Sequence, residues 1–306
     1  MKFSTALIGV SALAPACAGA QTYPTLASGV LEYFDISDRI THGPSYDRSW
    51  GEANVRFSPQ FNVVGSFING HGMTAFDEAY VRYEWDAVSI RLGRFRPDLG
   101  FTNWSDLTYS GFNWVPLVLQ YGVSGGRNVI SDNAGVEAIL TKGDFQLQAS
   151  VVDSDLADDQ VLPKNLNYAT LRAQESIGPV LLGEDFLSNA SGDDRMYGMD
   201  LRWTLPRIQL RSEILIGDGE ESDWGYFIEG AYRVPRLDRT QLVVRTEGLT
   251  SDDYGVTRIQ TLGIRQIFCQ YLTANLNYGW GTGLPDDAYD QARVGWSLRT
   301  MLMVRF

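Results

Sequence analysis

Apolar and polar residues alternate with a period of two along this chain from end to end, and that spacing specifies strands rather than helices. In 195–205, Tyr197, Met199, Leu201, Trp203 and Leu205 share one face, with Asp200, Arg202 and Thr204 opposite. In 207–217, Ile208, Leu210, Ile214 and Ile216 oppose Gln209, Arg211 and Glu213. In 144–153, Phe145, Leu147, Ala149 and Val151 oppose Gln146, Gln148 and Ser150. Runs of this kind, bounded by turn residues, fall at 28–36, 50–58, 60–69, 75–85, 87–96, 132–141, 144–153 and 165–176. Eight more fall at 179–188, 195–205, 207–217, 223–234, 239–249, 256–268, 270–280 and 293–306.

The connections between these sixteen runs alternate between tight and long. Tight ones sit at Pro59, Asp86, Lys142-Gly143, Gly178-Pro179, Pro206, Pro235 to Asp238, and Cys269. Long ones lie near 37–49, 70–74, 97–131, 154–164, 189–194, 218–222, 250–255 and 281–292. A soluble β-protein has no reason to keep that parity, whereas a transmembrane barrel has short turns at one end and longer loops at the other. The expected fold is therefore all-β: a transmembrane antiparallel β-barrel of about 16 strands, apolar face to lipid and polar face to the lumen. Barrels of this size leave an aqueous channel. Trp50, Trp85, Trp203, Trp224, Trp280 and Trp296 lie near strand ends, where aromatic girdles form. The segment 97–131 exceeds an ordinary connection and carries Trp104, Phe112, Trp114, Pro116 and Tyr121. It is expected to fold into the lumen; a surface lid or an extra hairpin are the alternatives.

The two ends point the same way. Lys2, an apolar run from Ala6 to Ala14 and Ala18-Gly19-Ala20 form a signal-peptide pattern, so residues 1–20 are expected to be removed and 21–306 to form one barrel. Cys17 raises a lipoprotein reading, but Ala14 stands where such a site usually has a leucine-like residue. Cys269 is then the only mature cysteine, which excludes an intramolecular disulfide. The last strand runs Trp296, Leu298, Thr300, Leu302, Val304, Phe306 on one face, up to the final residue. Bacterial outer-membrane barrels resemble this, their terminal aromatic being read by the barrel-assembly machinery; Phe306 is the matching residue.

Residues 76–100, FDEAYVRYEWDAVSIRLGRFRPDLG, resemble a hairpin of the phosphate-selective porin family: an EAY strand, then a strand ending in glycine, basic, phenylalanine, basic, proline. GMDLRWTLPRIQLRSEILIGDG (198–219) and DWGYFIEGAYRVPRLDRTQLVVRTEG (223–248) resemble it too, in order and spacing. The similarity covers roughly 76 to 306. It implies a homotrimeric channel in the outer membrane of a Gram-negative bacterium, passing small solutes or ions. Outer-membrane lipid and lipopolysaccharide would be its surroundings. The lysine-rich lining associated with phosphate selection is absent, because the mature chain holds only Lys142 and Lys164.

The formal charge of −12 comes largely from acids in the expected loops: Asp153, Asp155, Asp158 and Asp159; Asp193-Asp194; Asp218, Glu220, Glu221 and Asp223; Asp252-Asp253; Asp286-Asp287. They either bind divalent cations that bridge lipopolysaccharide or keep the loops soluble. Arg56, Arg82, Arg91, Arg172, Arg202, Arg211, Arg245 and Arg299 fall opposite the apolar stripe. A charge facing lipid at mid-bilayer costs about 2–4 kcal/mol, so these residues are expected to line the pore. They would form a track for anionic solutes, or pair across strands with Glu78, Glu84, Asp200, Glu213, Glu229 and Glu247 and stiffen the wall. Arg94 and Arg96 share parity with Val88, Ile90 and Leu92. Either they reach headgroup phosphates at the rim, or a bulge at Gly93 turns them inward. Together with Asp98 and Asp106 they are candidates for the rim or constriction.

An outer-membrane hydrolase would need a serine beside a base. His42 and His71, the only histidines, stand in Gly-containing loops without a serine motif nearby. No metal-ligand cluster or phosphate-binding glycine loop appears, so no cofactor, no enzymatic role and no nucleic-acid partner is expected. A plugged barrel with a structural or adhesive role is the remaining alternative.

Overall fold

The computed structural model describes residues 24–37, 45–70, 73–100, 112, 116–121, 123, 133–154, 161–219, 223–251, 255–269, 271–283 and 294–305. Residues 1–20, expected as a signal segment, lie outside them with His42, His71, Trp104, Asp106, Trp114 and Phe306, as do the acids of the 155–159, 220–222, 252–254 and 284–293 segments.

Sixteen strands appear among the described residues. The first eight are β1 (Thr25–Ser37), β2 (Ser45–Arg56), β3 (Phe61–Gly70), β4 (Met73–Trp85), β5 (Val88–Phe95), β6 (Asn133–Lys142), β7 (Phe145–Asp153) and β8 (Tyr168–Ile177). They are followed by β9 (Val180–Asn189), β10 (Arg195–Thr204), β11 (Ile208–Asp218), β12 (Trp224–Arg233), β13 (Thr240–Ser251), β14 (Gly255–Ile267), β15 (Leu272–Thr282) and β16 (Gly295–Arg305). Each pairs antiparallel with its neighbours in sequence, and β16 pairs back onto β1, from Val30 opposite Arg305 to Ser37 opposite Leu298. Closure leaves no edge, which is what lets a sheet cross lipid with every backbone group satisfied. One short helix, α1 (Leu117–Tyr121), lies between β5 and β6 in the chain.

The expected strands and the observed ones differ chiefly at their ends. β2 begins at Ser45, five residues before the alternation becomes readable, paired with the far end of β1. A ladder that runs past the apolar belt needs no apolar alternation, so its extension is silent in sequence. Connection length is a weaker guide than it looks: the β3–β4 link, read as long, spans only residues 71–72, while the β12–β13 link, read as tight, spans 234–239.

The two faces separate along most strands, with Glu184, Arg258 and Gln260 as polar residues exposed on the outer parity. Trp85 is 68 % exposed and Met199 59 %, and Tyr83, Ile90, Leu171, Ile228, Leu242 and Leu262 stand out with them, while Gln148, Arg172, Asp185 and Glu229 are buried inside. So much contiguous apolar surface on a closed barrel calls for lipid rather than water. Aromatics mark both ends of the outer face. At the loop end, Trp224 stacks on Tyr226 (5.9 Å, 17°), and Tyr278 packs between Trp280 (6.0 Å) and Trp296 (5.0 Å). At the turn end stand Trp85, Trp203, Tyr232, Phe268 and Tyr271. Trp50 does not join them: it shares parity with Glu52, Asn54 and Arg56, and Arg56 bonds to buried Asn62, which puts Trp50 on the inner side.

Candidate functional site in the barrel lumen

Antiparallel pairing places inward residues of neighbouring strands side by side, and the register sorts their charges into rows. Arg56 on β2 stands opposite Asn62 on β3, Asn62 opposite Arg82 on β4, Arg82 opposite Arg91 on β5, and Arg91 opposite Glu137 on β6. Three arginines thus share one line along five strands. A second row carries Arg202, Arg211, Glu229 and Arg245 across β10 to β13. The row beside it, toward the loop end, is acidic: Asp200, Glu213, Phe227, Glu247. On the seam side, Arg265, Asn275 and Arg299 line up across β14 to β16.

These rows are stitched by ion pairs. Arg91 reaches Glu137 at 2.5 Å and Asp98 at 3.5 Å. Arg172 bridges Asp185 at 2.8 Å and Asp200 at 2.6 Å. Arg211 pairs with Glu229, and Arg245 with Glu229 at 3.1 Å and Glu247 at 3.8 Å. With its amide oxygen turned toward β16, Asn275 accepts from the Arg299 guanidinium at 2.7 and 3.2 Å. Arg91, Arg172, Arg211 and Arg245 are nearly fully buried in these clusters. The paired carboxylates largely offset their charge, so four of the eight expected pore arginines act first as cross-strand ties. Arg56, Arg82 and Arg202 remain half-exposed. Arg56 donates to the neutral Asn62 at 3.2 Å, and Arg82 donates to the Tyr80 hydroxyl at 3.0 Å with Glu84 only at 4.0 Å.

The segment after β5 turns into the barrel. Asp98 accepts from Gln148 on β7 at 3.2 Å, and the Gly100 N–H donates to Asp185 on β9 at 3.0 Å. Further along, the Phe112 ring lies 4.0 Å beneath the Arg245 guanidinium, and the Leu117 N–H donates to Glu247 at 2.5 Å. Helix α1 packs on β12 and β13, with Leu117, Val118 and Val123 fully buried. Their seat consists of inward-facing apolar residues on successive strands, including Leu187, Met196, Leu215, Phe227 and Leu249. Burying a Val or Leu side chain contributes about 1.5–3 kcal/mol, so the inward segment is docked by packing as well as by its two backbone latches.

Arg94 follows neither expected course fully. It is 6 % exposed, so it does not extend from an open rim, and pairing runs without a register shift from Tyr80–Gly93 to Ala79–Arg94, so no bulge is present. Gly93 instead adopts φ +133°, where a β-carbon would press on the β4 backbone, and that local turn is open to glycine alone. Arg96 is half-buried, its N–H donating to Glu78 at 3.2 Å and its carbonyl accepting from Arg91 at 3.1 Å. Glu213 is buried, and Glu84 stands beside Arg82. Asp153, read as a loop acid, is buried at the end of β7 and accepts from the Lys164 and Asn165 N–H groups at 2.7 and 2.9 Å, tying down its loop. The sequence reading placed Gln148 on the polar face without giving it a role, and it missed Asp185 and the apolar seat.

The barrel has the overall fold of solved outer-membrane porins. The chain is similar to a loop-deleted OmpT, an outer membrane protein of Vibrio cholerae, with 12 % identity and a TM-score of 0.64 over 91 % of this chain and 98 % of that one. It is also similar to an anion-selective porin from Comamonas acidovorans (12 %, TM-score 0.60, 91 % and 98 % covered) and to Salmonella typhi OmpF (8 %, 0.62, 91 % and 96 %). At such identities the likeness establishes the fold alone. No family model matches the chain, and no curated protein matches it.

Proposed function

We propose that this protein is a channel in the outer membrane of a Gram-negative bacterium. It passes small hydrophilic solutes by diffusion with a weak preference for anions, and it assembles as a homotrimer. The observation that carries the reading is the charged inner wall of a closed barrel wide enough to hold water. The row Arg56–Asn62–Arg82–Arg91 supports the anion preference, and the Comamonas acidovorans relative, an anion-selective porin, agrees with it. The trimer follows the resemblance, and OmpT of Vibrio cholerae has itself been solved in a trimer form. Phosphate selection is not proposed, since two mature lysines build no lysine-rich lining.

Single-channel recording in a planar bilayer tests this directly. Reversal potentials in a salt gradient should show weak anion preference. The double variant Arg56→Gln, Arg82→Gln should move the channel toward cations without disturbing the buried ion pairs. The change should be small at physiological salt, where a Debye length of about 8 Å screens charges across a wet lumen. A wild-type channel that already prefers cations would show that Glu52, Glu78 and Glu84 dominate the wall and would sink the anion reading. A barrel without measurable conductance would instead favour the plugged alternative, for which the close packing of Leu117, Val118 and Val123 is the relevant observation.

Orientation can be checked separately. With both termini periplasmic, cysteines placed at Asp158 and Asp253 should react with an impermeant maleimide on intact cells, and cysteines at Pro59 and Pro206 should not. Labelling of the second pair from outside would reverse the topology.

A further inference from the structure

We propose that the outer wall of the barrel, at the loop ends of β12 to β14, holds a specific site for the phosphorylated glycolipid of the external leaflet. Arg258 and Tyr226 would take its phosphate, and the groove beside Trp224 an acyl chain. The proposal rests on the channel reading only for which end of the barrel faces outward.

Arg258 is the anomaly that motivates it. On β14 it shares parity with Val256, Leu262 and Ile264, which stand half-exposed on the lipid side, and it is itself exposed. Gln260 follows it on the same face. A cation facing lipid costs about 2–4 kcal/mol at mid-bilayer but about 0–1 kcal/mol near the interface. Arg258 stands three residues inside the loop end of a strand that starts at Gly255, which is about 10 Å of strand and headgroup depth. A guanidinium fork at that depth suits phosphate.

The neighbouring residues complete the site. In register with Arg258 lie Gly248 on β13 and, beyond it, Tyr226 on β12. The Tyr226 ring lies across Gly248: a β-carbon there would stand 2.8 Å from its Cε1 and 3.4 Å from its hydroxyl oxygen. Only glycine leaves room for the ring to lie flat and carry its hydroxyl over β13 toward Arg258. On the other side, Trp224 stacks on Tyr226 and walls an open groove of about 410 Å³, lined also by Ile214 and Ile216. Two acids close the loop end of that groove, Asp218 on β11 and Asp223 just before β12, three and two strands from Arg258, so an acyl chain would lie against Ile214, Ile216 and Trp224.

Arg258 and the groove wall at Trp224 are thus two strands apart, about 10 Å. A phospholipid carries its phosphate directly above its own chains. A glycolipid spreads phosphates and chains sideways over a sugar headgroup and can engage both features at once. That separation selects the glycolipid.

The experiment uses the full chain folded into detergent micelles and titrated with lipopolysaccharide, dephosphorylated lipopolysaccharide and phosphatidylglycerol, with binding read from tryptophan fluorescence. Arg258→Gln should bind lipopolysaccharide about tenfold more weakly than wild type, the scale of a charge-assisted contact. Gly248→Val, which displaces the Tyr226 ring, should weaken binding too. The dephosphorylated lipid should bind the wild type no better than the intact lipid binds Arg258→Gln. Equal affinity of wild type and Arg258→Gln, or of both lipid forms, would overturn the site, and phosphatidylglycerol binding as tightly as lipopolysaccharide would overturn the glycolipid assignment. Arg258 faces away from the lumen, so Arg258→Gln should conduct as wild type does. A barrel that binds the lipid but conducts nothing would refute the channel and uphold the site.

Discussion

Replacing Arg172 by Met should lower the stability of the barrel by about 3–5 kcal/mol, the usual cost of removing one partner from a buried ion cluster. Arg172 is 4 % exposed and is the cation between Asp185 and Asp200, which lie on neighbouring strands and contact the same guanidinium nitrogen. Without it, two carboxylates would face each other inside the wall with only a thioether between them. Unfolding by urea in lipid vesicles, followed by the loss of heat-modifiable mobility, measures the effect. The added changes Asp185→Asn and Asp200→Asn should restore most of the loss. They remove the stranded charges, and an amide oxygen at position 185 could still accept from the Gly100 N–H. An unchanged urea midpoint in the single variant would show that water solvates this cluster and that the lumen is wetter here than the burial implies.

Introducing a charge beneath helix α1, with Val118→Asp, should release the inward segment and raise single-channel conductance severalfold. Val118 is fully buried against Gly225, within an apolar seat that includes Phe227 and Leu249. Burying even an uncharged polar group without a partner costs about 2–7 kcal/mol, and a carboxylate costs more. Glu247 nearby adds like-charge repulsion, while the strand ladder is untouched, so the barrel itself should remain folded. Val118→Ala, which keeps the seat apolar, should leave conductance near the wild-type value. If Val118→Asp conducts as the wild type does, the segment does not narrow the passage.

The alternation of faces was legible because side-chain direction in a strand repeats every two residues, so Arg172 or Glu229 can be placed inside without knowing any neighbour. Strand register is not legible in that way. Nothing in the sequence shows that Arg56, Arg82 and Arg91 fall into one row, because they lie far apart in the chain and meet only through pairing. For the same reason the partners of Arg172 were not legible: Asp185 and Asp200 reach one guanidinium only through the pairing of β8, β9 and β10. One overlooked signal was available. Leu187, Met196, Leu215, Phe227 and Leu249 are apolar residues on the inward parity, clustered at the loop ends of successive strands. Such a break in alternation announces an apolar body docked inside. Arg94 lay beyond any parity rule, because a single φ angle at Gly93 decides its course.

The seam between β1 and β16 has a kinetic meaning. Every other pairing joins strands adjacent in sequence and can form as a hairpin, whereas Val30 meets Arg305 only after nearly the whole chain has been placed. Such a contact bears the full entropy of closing a very long loop, and contacts of that kind slow folding. Until it forms, two open edges would stand in a solvent that offers their amides no hydrogen bonds, or else invite a strand from another chain. The last seam is therefore the expected bottleneck of folding, and the two terminal strands bear more on whether the barrel forms than on how stable it is once closed.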